Sequence, residues 1–238
     1  MTFMDHYTVP EIFYPAKVGN ACCKEPVPGV FNLYVDNERW SVHDYYFKAL
    51  LYDCFIEIEK AYGDCITTGL GFGIIELCLA SKPNVRKVTI FEKHQSVVDM
   101  FLTYADNAKV NLDKIKIIVE DANEIKNQKS DCLILDHFES ETFEDIVAGT
   151  QKLGQNNSQD FIYFWPATKE FCEYSFKHKL PITTESFAAW GKSFNIKNFP
   201  PLIDDRLLKF MKIYANFDRQ NIKNYYQKKY TNKDLSIE

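Results

Sequence analysis

The sequence predicts an α/β protein built on a doubly wound, mostly parallel sheet with an N-terminal extension. Three observations carry that prediction. Between residues 64 and 165, short apolar runs alternate with segments of helical periodicity. The runs are continuously apolar and not alternating, which is the pattern of strands covered on both faces. A glycine-rich turn joins the first run to the first helix, and right-handed crossovers from there give the doubly wound layout.

The elements follow in chain order. Pro10, Pro15, Pro26, Pro28 and Gly29 break any long element in residues 1–40, where Val30 to Val35 reads as one short strand. From Ser41 the pattern changes. Ser41 reads as an N-cap with Asp44 three residues on, and Phe47, Leu50, Leu51, Cys54, Phe55 and Ile58 recur at helical spacing, so a helix is predicted that ends near Gly63. Strands are predicted over Asp64 to Thr68, Val88 to Phe91, Ile115 to Val119, Cys132 to Leu135 and Phe161 to Trp165. The helices between and after them are predicted over Gly73 to Ala80, Gln95 to Ala105, Thr142 to Leu153 and Thr168 to His178. Ser193 to Pro201 reads as loop, Asp204 to Tyr214 as helix or strand, and the polar tail from Arg219 as a fraying end.

Composition bounds the function. The 238 residues, 46% of them hydrophobic, suffice for one large domain or a domain with a small appendage. The reading is an N-terminal extension and cap helix over 1–60, a ligand-binding α/β domain over 61–218, and a tail over 219–238. A net charge of −5 argues against a chain-wide basic field, so nucleic acid is not indicated by charge, although the Lys-rich tail keeps RNA open as a partner. Seven cysteines without a C-x-x-C pair read as reduced, buried thiols in a cytoplasmic protein. Residues 1–20 lack a signal-peptide plan, and no apolar run approaches the roughly 20 residues that span a bilayer, so no membrane is expected. A homo-oligomer stays open.

The strongest motif is Thr67-Thr68-Gly69-Leu70-Gly71-Phe72-Gly73-Ile74-Ile75-Glu76, between a strand and a helix. Glycines there allow positive φ and a close approach of ligand to backbone, and the helix N-terminus supplies N–H groups and partial positive charge. A tight strand–helix turn with no ligand would look similar. The spacing is G-x-G-x-G, whereas dinucleotide binders favour G-x-G-x-x-G. In this the span from Gly63 to about Pro166 resembles the Rossmann-like core of class I S-adenosylmethionine-dependent methyltransferases, and in particular their spermidine-synthase-like branch. The resemblance implies S-adenosyl-L-methionine as cofactor, its methionine part seated on Gly69, Gly71 and Gly73.

Glu92, about 20 residues past the loop at a strand end, stands where a ribose-binding acid is expected. In Glu120-Asp121-Ala122, the resemblance assigns Asp121 to the adenine amino group and Ala122 to the adenine face; a carboxylate capping the next helix is the plainer alternative. The stretch Asp131 to Glu139 resembles the family pattern of an acid before a strand and D-x-x-D after it. In aminopropyltransferases the first later acid takes a proton from the amine and the second holds the substrate, so Asp136 is implied as catalytic and Glu139 as substrate-binding. His137 adds a group that exchanges protons near neutral pH. Trp40 to Tyr46 resembles the Y-H-E segment of spermidine synthases, which offers His43 to the substrate, and Trp165 at the last strand end offers a cover for it. Two positions depart from the pattern: Thr67 and Phe72 stand where methyltransferases and aminopropyltransferases, respectively, carry an acid. The implied activity is a methyltransferase of unknown acceptor. Aminopropyl transfer to a polyamine and an inactive nucleoside-binding or scaffold protein are the alternatives. No N/D-P-P-Y/F, Walker, H-E-x-x-H or G-x-S-x-G motif occurs at a matching place.

Overall fold

The computed structural model describes residues 12–44, 55–138 and 142–199. Residues 16–44 form a four-stranded antiparallel meander, β1 (Ala16–Val18), β2 (Ala21–Val27), β3 (Val30–Val35) and β4 (Glu38–Asp44), in that spatial order. This corrects the sequence reading on two counts. The extension is a sheet and not broken coil, and Trp40 to Asp44, including Ser41 and His43, belong to a strand and do not start a helix. The turns explain the difference. Asp36 and Asn37 both take positive φ, 50° and 68°, the backbone of a two-residue hairpin turn whose twist matches the flanking strands. Once that turn forms, β4 is drawn into register with β3, Leu33 opposite Ser41 and Phe31 opposite His43. Pairing with a ready partner outweighs a lone N-cap signal.

After α1 (Phe55–Lys60), the second sheet holds β5 (Gly63–Thr68), β6 (Val85–Glu92), β7 (Ile115–Val119), β8 (Lys129–Leu135) and β9 (Ser158–Phe164). Its order is β7-β6-β5-β8-β9 and every pair is parallel. The chain starts at the centre, winds out to β7, then crosses back to β8. That reversal makes the β5/β8 boundary a topological switch point, outside whose strand ends such sheets hold ligands. This is the doubly wound, Rossmann-like architecture predicted, with the antiparallel sheet as its N-terminal extension. Val88, Ile90, Cys132 to Leu135 and Ile162 to Phe164 are all buried, as continuous apolar runs require.

The helices are α2 (Ile74–Ser81), α3 (Gln95–Asn107), α4 (Phe143–Asn156), α5 (Ala167–His178) and α6 (Thr184–Ser193). Thr142 and Asp145 make a reciprocal capping box at the start of α4. Helix α6 was not predicted. Its buried face is Phe187 and Trp190 instead of an aliphatic stripe, and Gly191 sits late in it. That glycine is there for packing: a Cβ would come within 2.3 Å of the Phe199 ring.

The two sheets meet on the side of the glycine loop. Phe13, just before β1, lies against Phe72 at 4.8 Å and Tyr104 of α3 at 5.5 Å between ring centroids. The Tyr104 hydroxyl donates to the Tyr14 carbonyl at 2.7 Å, and Ser96 of α3 donates to the Asn20 side chain. Cys22, Cys23, Cys65, Cys78, Cys132 and Cys172 are free thiols, all but Cys22 buried. Among the described residues no helix is long and apolar enough to cross a membrane. Glu139, Asp204 to Tyr214 and the tail from Arg219 lie outside the described residues.

Candidate functional site

Five parallel strands end on one edge, and the chain leaving each delivers a different chemistry there. β5 delivers the glycine loop, β6 Glu92, β7 Asp121 and Ala122, β8 Asp136 and His137, and β9 Trp165. Nine sequence-predicted residues are therefore brought to one rim: Gly69, Gly71, Gly73, Glu92, Asp121, Ala122, Asp136, His137 and Trp165, and Thr68, which the sequence did not single out, joins them. His43 is on the other sheet. Asp131 sits toward the opposite end of β8, where its carboxylate accepts the Asp64 N–H at 2.7 Å and pairs with Arg86 at 2.9 Å; it braces the strand starts and not the rim.

The loop glycines all have positive φ: 75° at Gly69, 51° at Gly71 and 72° at Gly73. The space beside each differs. A Cβ on Gly69 would lie 2.3 Å from the Asp136 carbonyl oxygen, and one on Gly73 would lie 2.2 Å from the Phe101 ring. These two glycines let chain pack on chain. On Gly71 the nearest atom would be the Ser41 hydroxyl at 3.4 Å, an ordinary contact, so of the three it is the one with room beside it. Gly73 is the N-cap of α2 and has no side chain to cap that helix start; of the first-turn N–H groups, that of Glu76 meets its own carboxyl.

Glu92 is buried, and its two oxygens are engaged separately. Oε2 accepts the Leu70 N–H at 2.8 Å and Oε1 the His94 N–H at 2.8 Å. The carboxylate thus clasps the glycine loop to the end of β6. Each oxygen keeps acceptor capacity for a further donor, since a carboxylate offers about four lone-pair sites. Asp121 caps the short 3-10 turn Ala122–Glu124 by accepting the Asn123 N–H at 2.8 Å, the plainer of its two sequence readings. Its side chain is exposed and Ala122 beside it is buried.

Glu76, in the glycine motif but given no task by the sequence, is a second buried acid here, with Glu92. It is 2% exposed in the first turn of α2. Burial pushes its carboxyl up to about 8, against the pull of its own N–H and the Thr67 hydroxyl; the charges of Asp136 and Glu92 add to the rise. It lies close enough to Asp136 and Glu92 to feel both charges. Periodicity hid it, because Ile74, Ile75, Leu77, Cys78 and Leu79 make the helix look uniformly apolar.

At the end of β8, the Asp136 N–H donates to the Thr68 carbonyl at 3.0 Å and to its hydroxyl at 3.2 Å. His137 Nδ1 lies 2.6 Å from the same hydroxyl. Burial first, and then the charge of Lys93, hold the imidazole down at about 4, and Asp121 only partly offsets them. With that value the ring is neutral through the physiological range, whereas an unperturbed histidine would exchange protons near neutral pH. Among the described residues, three ring nitrogens past strand ends are buried without a hydrogen-bond partner: His94 Nε2, His137 Nε2 and Trp165 Nε1. Each such orphan costs about 1–3 kcal/mol, and a bound ligand or water would relieve it.

The rim also holds residues that the sequence did not single out. Lys93 Nζ lies 4.7 Å above the Trp40 ring, which meets the His94 ring edge-on at 4.9 Å. Trp40 thereby reaches from β4 to the end of β6. No spacing rule links residues 40, 93 and 94; only the closing of one sheet on the other does.

No protein-family model matches the sequence, and no curated protein sequence matches it. Solved structures do resemble it. A spermidine synthase from Thermotoga maritima is similar over 64% of this chain, at 14% identity and a TM-score of 0.46. The match takes in 55% of that synthase, so the chain spans about half of its length. An RNA methyltransferase of Pyrococcus horikoshii, itself described as putative, is similar over 55% of this chain and 65% of its own, at 19% identity and a TM-score of 0.37. Trm5b from Pyrococcus abyssi is similar over 54% of this chain and 38% of its own, at 16% identity and a TM-score of 0.37.

Proposed function

We propose that this chain is an S-adenosyl-L-methionine-dependent transferase, a methyltransferase in particular, working in the cytoplasm on an acceptor not identified by the sequence. One observation carries the reading. The uncapped start of α2, the Glu92 carboxylate, the Asp121–Ala122 turn and three unpartnered ring nitrogens converge on one sheet rim at its switch point. The free acceptor capacity of Glu92 fits a ligand with hydroxyl donors, and the orphaned ring nitrogens fit one that also presents lone pairs.

When bound, the cofactor supplies a carbon already activated by its sulfonium charge. The chain's task is alignment, worth up to about 7–11 kcal/mol in the best cases. The room beside Gly71 and the helix start would receive the amino-acid part, Glu92 the ribose hydroxyls, and Asp121 with Ala122 the adenine. Asp136 would orient or deprotonate the acceptor. The ribose assignment has a direct test. Calorimetry should find that the wild type prefers adenosine to 2′-deoxyadenosine by about tenfold, roughly 1.4 kcal/mol, and that Glu92→Ala removes the preference. A variant that still discriminates would confine Glu92 to clasping the loop.

A second reading, a nucleoside-binding or scaffold protein without turnover, is favoured by the loop itself. Gly69 and Gly73 are needed for packing on Asp136 and Phe101 whether or not a ligand comes. Thermal unfolding with S-adenosylhomocysteine separates the two. A ligand at 100 times its Kd stabilises by about 2.7 kcal/mol; an unmoved melting temperature at millimolar ligand would favour the scaffold.

A further inference from the structure

We propose that His137 acts at this rim as a fixed hydrogen-bond donor through its Nε2–H, so that the group bound there presents an oxygen, as a carboxylate, a phosphate ester or a carbonyl does. That the bound group is a substrate rests on the transferase reading above. The donor itself rests on the chain's own geometry.

The tautomer follows from counting protons. Thr68 is fully buried, and its hydroxyl has one proton and two lone pairs. One lone pair takes the Asp136 N–H at 3.2 Å. If Nδ1–H of His137 occupied the other, the hydroxyl proton would be left in the interior with no acceptor among the described residues. The arrangement that satisfies every group has the Thr68 O–H donating to Nδ1 at 2.6 Å. The single proton of the neutral ring then sits on Nε2, which is buried and unpartnered. A ring locked this way cannot accept a proton from a substrate through Nε2. It can only donate a hydrogen bond.

The surroundings say what it donates to. Trp165, one residue past β9, carries a second unpartnered N–H. Its own main-chain N–H is tied to Leu135 at 2.8 Å, two residues before His137. The imidazole also feels the negative charge of Asp121 and, less strongly, the positive charge of Lys93. Ring N–H groups seek lone pairs. A polyamine in its protonated form has only donors, so this part of the rim is built against it.

The test is nitrogen-15 NMR of the full chain, reading two-bond couplings of the imidazoles. At pH 7 His137 should show a proton on Nε2 and a bare Nδ1, unchanged from pH 5.5 to 8. Thr68→Val should release Nδ1 and give a mixture of tautomers, while Thr68→Ser should keep the wild-type pattern. Sodium phosphate or acetate at tens of millimolar should move the Nε2–H resonance, and spermidine should not. A proton found on Nδ1, a doubly protonated ring at pH 7, silence toward both anions, or a response to spermidine alone would each overturn the proposal. Titration of the same sample with S-adenosylhomocysteine is read separately. Its failure would strike the transferase reading and leave the donor standing, and the reverse outcome would do the opposite.

Discussion

Gly69→Ala is expected to destabilise the protein by about 3–5 kcal/mol, among the larger effects a single residue produces. Two costs combine. Its φ of 75° is left-handed backbone, which costs a side-chain-bearing residue roughly 1–2 kcal/mol. The new methyl would also lie 2.3 Å from the Asp136 carbonyl oxygen. That atom is backbone and cannot rotate away, so the end of β8 must move. Gly71→Ala is the control, since its φ of 51° carries the first cost while its methyl would meet only the Ser41 hydroxyl at 3.4 Å. Urea titration should therefore put Gly71→Ala within about 1–2 kcal/mol of the wild type. If the two midpoints coincide, packing against Asp136 is not what holds position 69 to glycine. The pair also sorts stability from binding. If the proposed cofactor meets the loop at Gly71, Gly71→Ala should fold and bind S-adenosylhomocysteine more weakly, a separation that Gly69→Ala could not reveal.

This comparison also marks what the sequence can and cannot disclose. The parallel sheet was legible because its strands are buried on both faces and so spell continuous apolar runs, as Cys132 to Leu135 does. The rim was legible because strand ends and ligand edges coincide in such sheets. The reason for each glycine was not, since Gly69 and Gly73 owe their identity to Asp136 and Phe101, residues 67 and 28 positions away. The β4 strand was misread because Ser41 and Asp44 imitate a helix start, while the deciding signal was the Asp36–Asn37 turn upstream. Trp40 over Lys93 and His94 needed the antiparallel sheet to be placed first. The protonation of His137 needed its burial and the count of protons on Thr68, neither of which a motif records.

Glu76→Gln is expected to stabilise the protein at neutral and alkaline pH, the reverse of what removing a site acid would suggest. Burial raises the Glu76 carboxyl from 4.5 to about 8. In that interval the folded chain holds a proton that the unfolded chain has released, so stability falls as pH rises from 4.5 through 8. Each unit above the ordinary value costs about 1.4 kcal/mol until the folded value is reached. Glutamine has the shape of the protonated acid and cannot ionise in either state. At pH 7 the variant should gain about 1–3 kcal/mol, a rise of several degrees in melting temperature for a chain of this size. His137 tilts the curve the other way at lower pH. Its value of about 4 in the fold lies below the ordinary 6.5, so its contribution is complete above 6.5 and is lost as pH falls toward 4. The two windows overlap, which is why the measurement is the difference between wild type and variant from pH 5 to 9. That difference should climb with pH and level off above about 8. A flat difference, or one that favours the wild type, would mean that Glu76 is ionised in the fold.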